Sequence, residues 1–538
     1  MRFASLALAA ALLAGCASTP APRAPLKLTV IHTNDHHGRF WPNAQGEYGM
    51  AARKTVIDRV RAEVAAAGGQ VLFLDGGDIN TGVPESDLQD AEPDFMGMNR
   101  LGVDAMAVGN HEFDRPPAVL AKQRQWVQFP MLSANIYRRT PQGGERMFQP
   151  YTVFERGGYR IAVMGLTTDD TAKMVLPSNV DGIEFRKPIE EAAKLLPELR
   201  AKADMVIAVT HMGHYTDARH GVNSPGDVEM ARETKGLDLI VGGHSQNPVC
   251  MLAENRRNDA YVPGTPCAPD RQNGTWIVQA HEWGKYVGRA DFEISAGRVE
   301  LLRYQLLPIN LLRPGPDGKP QLATERIPDD AAMKAFLQPY QDAGQASTSV
   351  VVGRADGVLD GDRAHVRQRP TTLGTLIARS MRERTGSDLA IMNSGGVRDS
   401  LPAGELTYRD LLKAQPFGNT IGQVRLSGAE LLDYLRAAAK MTPGAGGFPQ
   451  TAGLRMRIAG GQLEGAEVNG RPVDPLGSYT LAINHFTATG GDGYPPLNKH
   501  PGYIDTGLVD VEVMREFVAK NSPLKVSDYD PGDAVLRR

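Results

Sequence analysis

The sequence predicts an α/β protein (α+β overall), in which a layered N-terminal domain is followed by a smaller second domain. Its 538 residues exceed what one ordinary hydrophobic core organises, so two domains are expected. Over the first 330 residues, buried strand-like runs alternate with helical stretches, which is typical of a sheet covered on both faces. We predict a first domain over 26–330, a linking helix over 331–345 and a second domain over 346–538.

The composition places the chain among globular proteins and argues against a polymeric nucleic-acid partner. Hydrophobic residues make up 41% of the chain and charged residues 22%. The formal net charge of -3 provides no overall basic field for a phosphate backbone. After the first twenty residues, no apolar run approaches the length of a membrane span. We expect a monomer that acts on small molecules.

The N-terminus predicts export. Arg2 precedes an apolar run over 3–13, and small residues then lead to Cys16, as in a secretory signal. The ending Leu-Ala-Gly-Cys resembles a bacterial lipobox, in which Cys16 is lipidated. We therefore expect a periplasmic lipoprotein of a Gram-negative bacterium, held to the membrane only by this anchor, with 17–25 as a flexible tether. The alternative is an ordinary cleaved signal.

Two further cysteines, Cys250 and Cys267, lie in a loop that contains Pro and Gly. Export implies an oxidising compartment, which favours a disulfide between them over two buried free thiols. A zinc site is poorly supported, because the chain has no Cys-x-x-Cys spacing.

Apolar periodicity and turn residues predict the elements in order. Predicted strands cover 26–33, 71–74, 105–108, 161–166, 205–210, 237–241 and 389–392. Predicted helices cover 50–67, 94–100, 331–343 and 373–384. The helix over 50–67 is expected to carry its Arg, Lys and Glu residues on the face away from the core.

Five of the N-terminal strands end in residues that can bind metal. The donors are Asp35, His37, Asp78, Asn110, His211, His244 and Gln246. A single Asp or His at a strand end is usually a turn residue, but five such ends together indicate one cluster at the sheet edge where ligands bind. Oxygen and imidazole donors suit Mn, Zn, Fe, Ni or Co, and seven donors suit two ions that share one carboxylate, for which Asp78 is the candidate.

The motifs D-H-H, G-G-D, G-N-H-E-F-D, T-H-M-G-H and G-G-H-S-Q resemble, in this order, those of the calcineurin-like metallophosphoesterases. They are most similar to the branch of bacterial periplasmic UDP-sugar hydrolases and 5'-nucleotidases, which has Gln at the position of Gln246. The resemblance implies a four-layer α/β/β/α domain and a helical linker to a smaller α/β substrate-binding domain. It also implies a two-metal hydrolase of nucleotide phosphate esters and anhydrides, with a metal-bound hydroxide as nucleophile.

The same resemblance implies a role for each motif residue. One metal would be bound by Asp35, His37, Asp78 and Gln246, and the other by Asp78, Asn110, His211 and His244, with Mn, Zn or Co as the ions. His111 would contact the reacting phosphate and Asp114 would orient its ring, while Glu112 is expected to be structural. The loop disulfide of the family maps onto Cys250 and Cys267. His36, His214 and His281 receive no role.

The second domain contains three polar loops with glycine, over 393–398, 415–419 and 486–494. By themselves, two Phe residues indicate core packing and nearby arginines a solvated face. The resemblance instead implies that Phe417 and Phe486 sandwich a nucleobase, and that Asp492 contacts the ribose. Arg363, Arg367 and Arg398 would bind the phosphates or the groups next to them, and Asn419 would lie near the base. Closure about the linking helix would bring the phosphate to the metals.

Two other interpretations are kept open. One is a related metallohydrolase with the same metal loops, such as a 2',3'-cyclic-nucleotide phosphodiesterase or an NAD pyrophosphatase. The other is a surface-anchored nucleotide-binding lipoprotein without activity. The second predicts losses among the donor positions, and none of the seven is missing.

Overall fold

The computed structural model describes residues 23–43, 45–141, 143–175, 179–216, 225–295 and 297–538. The predicted signal segment and the predicted lipidation site Cys16 lie outside these residues. Among the described helices, none has the length and apolar character that crossing a membrane requires.

Two six-stranded sheets form the N-terminal domain, and four strands of each run parallel. The first sheet contains, from edge to edge, Arg298–Pro308, Tyr286–Ser295, Leu26–Thr33, Gln70–Asp75, Ala105–Ala107 and Met131–Leu132. The second sheet contains Asp270–Gln272, Thr275–Val278, Leu239–Val241, Met205–His211, Tyr159–Thr167 and Tyr151–Arg156. Because the carboxyl ends of parallel strands lie on the same side of a sheet, the loops that follow them meet there.

The two sheets pack face to face and helices cover both outer faces. Leu28 and Val30 point between the sheets, while Ile31, one residue further, joins the cluster under the helices. The helices are Met50–Ala66, Pro84–Asp87, Glu92–Leu101, Pro117–Trp126, Thr171–Met174, Pro188–Lys202 and Asp227–Glu233. Both faces of each sheet are therefore apolar, and the expected four-layer α/β/β/α arrangement is confirmed.

Several short strands extend this framework. They are Ile136–Arg138, Glu145–Arg146 and Ile183–Phe185 in one small sheet, and the hairpins Met251–Ala253 with Arg256–Arg257 and Leu312–Pro314 with Pro320–Leu322. Cys250 and Cys267 form a disulfide, with 4.8 Å between their Cα atoms, which agrees with the prediction from export.

The predicted linking helix is present as Ala331–Thr348, and its N-cap residue Asp330 accepts a hydrogen bond from the Met333 amide. Met333 and Leu337 are buried in the same cluster as the helices over the first sheet. Tyr340 and Gly344, in its second half, also lie against the N-terminal domain, at Gln89 and Glu85. The helix is thus packed onto the N-terminal domain along most of its length.

The C-terminal domain is built around a five-stranded sheet with helices on both faces. Its strands, from edge to edge, are Pro449–Ala452, Leu389–Asn393, Ser478–Asn484, Thr420–Ser427 and Tyr503–Val509. A second sheet contains Arg471–Pro472, Gln462–Val468, Leu454–Ala459 and Val535–Arg537, and Val351–Ala355 pairs with Gly404–Thr407. The helices are Arg363–Val366, Thr372–Thr385, Tyr408–Ala414, Gly428–Ala439, His485–Ala488 and Asp510–Asn521.

Candidate metal centre and substrate loops

The seven predicted donors meet at one edge of the N-terminal domain. Asp35, Asp78 and Asn110 follow three adjacent parallel strands of the first sheet. His211 is the last residue of Met205–His211 in the second sheet, and His244 follows the neighbouring strand Leu239–Val241. The ends of two facing sheets thus supply one cluster.

Asp78 lies at the middle of this cluster. Its Oδ2 atom is 2.9 Å from Nε2 of His211, 3.9 Å from Nε2 of His37 and 3.9 Å from Nε2 of His111. Its Oδ1 atom accepts a hydrogen bond of 2.9 Å from the His111 amide, which fixes the carboxylate plane. One oxygen is therefore held by backbone while the other faces histidines on both sides, as a bridging ligand requires.

One group of donors lies on the His37 side of Asp78. Oδ1 of Asp35 is 3.7 Å from Nε2 of His37, and the side-chain amide of Gln246 is 2.8 Å from the same nitrogen. Rotation of this amide about its last bond presents Oε1 at the same point. The loops at Asp35 and Gln246 are also joined, because the His244 amide donates to the Asp35 carboxylate at 2.9 Å.

A second group lies on the His211 side. Oδ1 of Asn110 is 3.1 Å from Nε2 of His211 and 2.9 Å from Nδ1 of His244. The rings of His211 and His244 meet edge to face, with centroids 5.0 Å apart. Ligand atoms of Asp78, His211 and His244 all lie within 4.8 Å of one another, which is close enough to share one ion.

The donor chemistry fits divalent metal ions. Nδ1 of His37 faces the carbonyl oxygens of Asn80 and Thr81 at 3.1 and 2.9 Å, and Nδ1 of His211 faces the Gly76 carbonyl at 2.7 Å. These contacts hold the proton on Nδ1 and leave Nε2 free to bind a metal. Carboxylate, amide oxygen and imidazole are the donors that Mn, Zn and Co accept.

Backbone strain is concentrated in the same residues. Five of the seven donors have left-handed φ angles, at 51° for Asp35, 50° for His37, 60° for Asp78, 78° for His244 and 54° for Gln246. Side chains other than glycine adopt this conformation rarely and at an energetic cost. Contacts with the surrounding structure therefore hold these loops in a strained conformation, which is typical of a binding centre.

The electrostatics of the donor cluster favour positive charge near its carboxylates. Burial lowers the pKa of His211, but Asp78 and Asp35 outweigh it and raise the pKa to about 9. For His244, burial and the neighbouring His211 lower the pKa to about 4. The carboxylates of Asp78 and Asp35 thus favour positive charge in the cluster, and a divalent cation would satisfy the same attraction.

His111 is placed differently from the donors. Its Nδ1 atom is 2.5 Å from Oδ2 of Asp114, and its ring is one-third exposed at the cluster rim. Burial lowers the pKa of His111, but Asp114 and Asp78 outweigh it and raise the pKa to about 10. With Asp114 as the partner of Nδ1 and the ring at the exposed rim, a protonated His111 can donate from Nε2 to an anion.

Glu112, expected to be structural, accepts hydrogen bonds from backbone amides alone among the described residues. The donors are Gly109 at 2.7 Å, Ile79 at 2.8 Å, Asp78 at 3.1 Å and Asn80 at 3.4 Å. The buried carboxyl group thus ties the loop after the second strand to the loop after the third.

Sequence reasoning missed Asn34. Its side-chain amide donates to Oδ2 of Asp35 at 2.6 Å and also to the His281 carbonyl, and its oxygen accepts from the Ala280 amide. Its place immediately before Asp35, in the same polar turn, was the available signal. Of the histidines without a predicted role, His214 is a buried partner of Asp270 at 2.8 Å.

The three C-terminal loops also converge at one sheet edge. Ile421 pairs with Asn484 in antiparallel strands, so Phe417 precedes one strand where Phe486 follows the other. The strand Leu389–Asn393 runs parallel to Ser478–Asn484 and ends at this edge too. Asn393 donates to Oδ2 of Asp492 at 2.7 Å, which connects the first loop to the third.

The side chains of these loops are open to solvent. Phe417 is 55% exposed and Phe486 is 43% exposed. The guanidinium of Arg398 lies 5.4 Å from the Phe417 ring. Burial and the nearby Arg363 and Arg398 lower the pKa of Arg367, so the three cations form one positive group.

Two details refine this group. The Nε atom of Arg367 is buried without a hydrogen-bond partner among the described residues, and a cleft of about 450 Å³ adjoins Arg363 and Arg367. The carbonyl of Asn419 accepts from the Asp510 amide at 2.8 Å, and its side chain also bonds to the Asp510 carboxyl group. Asn419 therefore joins its loop to the helix Asp510–Asn521.

The fold and the donor cluster define a two-domain metallophosphoesterase. The family model for calcineurin-like phosphoesterase matches residues 28–248, and that for the 5'-nucleotidase C-terminal domain matches residues 351–499. The chain belongs to the calcineurin-like phosphoesterases that carry a 5'-nucleotidase C-terminal domain.

Individual relatives match along nearly the whole chain. The protein is 54% identical to Protein UshA of Escherichia coli (strain K12), over 95% of this chain and 94% of that protein. It is 51% identical to a 5'-nucleotidase of Vibrio cholerae, over 98% of this chain and 97% of that protein. Among solved structures, the 5'-nucleotidase precursor from Thermus thermophilus is 32% identical with a TM-score of 0.62, covering 92% of this chain and 96% of that one.

Proposed function

We propose that the protein is a two-metal hydrolase of nucleotide phosphate esters and anhydrides, acting on 5'-nucleotides and on UDP-sugars or similar nucleotide diphosphates. The observation that carries the proposal is the complete set of seven donors around Asp78, in a chain that also presents two exposed Phe rings, one of them next to Arg398. Relatives named 5'-nucleotidase, at about half identity over nearly the full length, support this substrate class.

Two divalent ions, of Mn, Zn or Co, are proposed to share Asp78. Asp35, His37 and Gln246 would complete the first set of ligands, and Asn110, His211 and His244 the second. When bound, such a pair lowers the pKa of water and polarises a phosphoryl oxygen. The residues of the chain hold the donors in place, and the left-handed backbone at five of them keeps the side chains converged.

His111 is proposed to stabilise the reacting phosphate. Asp114 holds its Nδ1 atom, so the proton on Nε2 points toward the Asp78 side of the cluster. An imidazolium there neutralises charge that grows on the phosphoryl oxygens or on the leaving group. Asp114 fixes the ring orientation and keeps the ring charged.

Phe417 and Phe486 are proposed to clamp the base, with Asp492 on the ribose and Arg363, Arg367 and Arg398 on the phosphates. Stacking tolerates different bases and contributes roughly 1–3 kcal/mol per base. The Nε atom of Arg367, which is buried without a hydrogen-bond partner among the described residues, supports an anion in this group. Asn419 is proposed to act next to the base by fixing the loop that carries Phe417.

The proposed domain limits are 26–330 and 346–538, with closure about the segment between them. Because Phe336 is covered by Arg100 at 3.9 Å and Gln89 bonds to the Tyr340 carbonyl at 2.9 Å, the helix belongs mechanically to the first domain. We propose that the hinge lies at its C-terminal end, close to Ser349. Scattering profiles that stay unchanged when a substrate analogue is added would contradict this hinge.

We propose a periplasmic, monomeric lipoprotein anchored through Cys16. Arg23, seven residues after Cys16, donates to the Gly158 carbonyl at 2.8 Å and to Asp204 at 2.6 Å. Asp204 precedes the strand Met205–His211, whose other end carries the donor His211, and Gly158 precedes the neighbouring parallel strand Tyr159–Thr167. An anchor would thus hold the domain by the edge opposite the cluster, and a Cys16→Ala variant should leave the membrane fraction.

The experiment that tests the activity is a substrate panel of AMP, ATP, UDP-glucose, NAD and 2',3'-cyclic nucleotides, each with Mn, Zn or Co added to metal-stripped protein. The proposal expects metal-dependent hydrolysis, with AMP and UDP-glucose among the best substrates. A clear preference for cyclic nucleotides or NAD would identify the related hydrolases instead. Nucleotide binding without phosphate release under any metal would indicate a binding lipoprotein.

A further inference from the structure

We infer that Arg53, His36 and Asp94 form a positioning triad that sets the affinity of the protein for one of its two metals. The inference rests on the proposed function only in taking Asp35 and His37 as ligands of one ion and not of the other. None of the three triad residues belongs to either proposed ligand set.

The triad is a buried chain of hydrogen bonds beneath the donor cluster. Nε2 of His36 is 2.7 Å from Oδ1 of Asp94, and Nη2 of Arg53 is 3.0 Å from Nδ1 of His36. Ser86 extends the chain, because its hydroxyl donates to Oδ2 of Asp94 at 2.6 Å. All four residues are at most 1% exposed.

Chemistry fixes the direction of these bonds. An arginine only donates, so Nδ1 of His36 must accept, and the ring then carries its proton on Nε2 and donates it to Asp94. The His36 ring is thus held at both nitrogens, by a residue of the helix Met50–Ala66 and by one of the helix Glu92–Leu101.

Arg53 departs from the expectation that the charged residues of its helix face away from the core. It is fully buried, and its Nε and Nη1 atoms have no hydrogen-bond partner among the described residues. The guanidinium packs on Gly284, where an added Cβ atom would lie 2.3 Å from its central carbon. Burying a cation with one directed hydrogen bond lowers the stability of the fold. We therefore look for the role of Arg53 in the residue that it contacts, His36.

Through His36, Arg53 fixes the strained loop that carries the donors Asp35 and His37. His36 lies between Asp35 and His37, whose φ angles are 51° and 50°. Such angles persist only where neighbouring contacts impose them. Fixing the middle side chain at both ring nitrogens prevents the two flanking residues from relaxing to an ordinary backbone.

The effect should fall mainly on one metal. Among the described residues, the hydrogen bonds of the triad run to neither Asn110 nor His211, and the Asp78 loop is held separately by Glu112. His244 is joined to Asp35 through its backbone amide, not through its ring. Loosening the loop at His36 therefore displaces Asp35 and His37 directly, and it reaches the second ligand set indirectly, through that amide.

The test measures metal binding to the full chain rather than turnover. His36→Leu removes both hydrogen bonds, Asp94→Asn removes the carboxyl group, and Ser86→Ala removes only the last link. His32→Leu is the matched control, because His32 is equally buried on the preceding strand but stacks on Tyr304. Mn²⁺ is titrated into each metal-free variant, and circular dichroism checks the fold.

We expect His36→Leu to weaken one of the two Mn²⁺ equilibria about 10- to 100-fold and the other by no more than about twofold. Asp94→Asn should act in the same direction, and Ser86→Ala less. The single-site references are Gln246→Ala and Asn110→Ala. Adding His36→Leu to Gln246→Ala should change the affinity for the remaining Mn²⁺ ion little. Adding it to Asn110→Ala should weaken the binding of the remaining ion.

Three results would overturn the inference. The first is an equal loss of affinity for both Mn²⁺ ions in His36→Leu, and the second is the same pattern of losses in His32→Leu. The third is unchanged Mn²⁺ affinity in folded Asp94→Asn and Ser86→Ala. Should His36→Leu not fold, the other two variants decide. A wild-type protein that binds fewer than two Mn²⁺ ions would also overturn it. The assay contains no substrate, so its result can be interpreted even if the proposed substrate class proves wrong.

Discussion

The metal-binding edge of the N-terminal domain and the loop edge of the C-terminal domain occupy equivalent positions but differ in construction. Both lie where strands of a sheet end, at the place where α/β sheets bind ligands. The first is buried, strained and cross-linked by Glu112 and Asn34. The second presents half-exposed Phe417 and Phe486.

The difference matches what each edge is proposed to bind. Metal ions need donors fixed in geometry, and fixing requires buried hydrogen bonds around each ligand. A nucleobase is held through ring faces, for which exposed aromatic surface suffices. Changes at the first edge should therefore act on the rate of catalysis, and changes at the second on substrate binding.

The largest effect is expected from Asp78→Ala. Loss of the proposed shared ligand should release both ions and lower kcat by more than about 10⁴-fold, because the reaction loses its activated water and its charge stabilisation. Activity assays together with metal analysis check this. Asp104→Ala is the control, since Asp104 lies at the opposite end of the neighbouring strand. Full metal content in Asp78→Ala would contradict the assignment.

His111→Ala should lower kcat by about 10²- to 10⁴-fold while metal content stays at two ions per chain. The substitution removes a cation that is proposed to touch only the reacting phosphate. Steady-state kinetics and metal analysis measure the two quantities separately. His500→Ala removes another histidine paired with a carboxylate, at 3.3 Å from Glu430, and should have no effect. Loss of a metal ion from His111→Ala would make His111 a ligand.

Phe417→Ala should raise KM for AMP by about 5- to 150-fold, the equivalent of 1–3 kcal/mol of stacking, with little change in kcat. Hydrolysis of p-nitrophenyl phosphate, which lacks a base, should be unaffected. Leu476→Ala is the control, because this exposed residue precedes the strand that Phe486 follows. An equal loss on both substrates would remove the distinction between the two edges.

Asp114→Asn should lower kcat by about tenfold and move the alkaline limb of its pH profile to lower pH. Asp114 raises the pKa of His111, which is about 10 with the carboxylate present, so its removal lets the ring lose its proton sooner. The measurement is kcat between pH 5 and 10 for both proteins. An alkaline limb that does not move would show that Asp114 does not keep the ring charged.

The smallest effect on catalysis is expected from the double substitution Cys250→Ser and Cys267→Ser. The disulfide closes a loop with a sequence separation of 17, so its loss should lower the free energy of unfolding by about 3 kcal/mol. Denaturant unfolding measures this, with oxidised wild-type protein as the reference and reduced wild-type protein as a second sample that should show the same loss. The kinetic constants should stay within twofold, and a large loss of kcat would connect this loop to the metal centre.

Much of the N-terminal fold follows from sequence, because its strands are buried on both faces and read as continuous apolar runs. The strand over 26–33 and the helix over 50–67 were predicted within one residue of their limits. The antiparallel pair Tyr286–Ser295 and Arg298–Pro308 was not, since its second strand is largely exposed and its apolar positions only alternate. Alternation of this kind was the available signal.

The convergence of the seven donors was also predictable, because strand ends carry them and parallel strands share an edge. The supporting contacts were not. Arg53 has a sequence position on a helix that suggests solvent, and only the tertiary neighbours His36 and Gly284 explain its burial. The strain at Asp35 and His37 is equally invisible in the sequence, because any residue type can be forced into that backbone by its surroundings.

Anomalous diffraction from crystals grown with Mn²⁺ and a non-hydrolysable nucleotide analogue tests the central claim most directly. The account predicts two anomalous peaks, one on each side of Oδ2 of Asp78, and base density between Phe417 and Phe486. A single peak, two peaks that do not share Asp78, or a base bound away from both rings would contradict it.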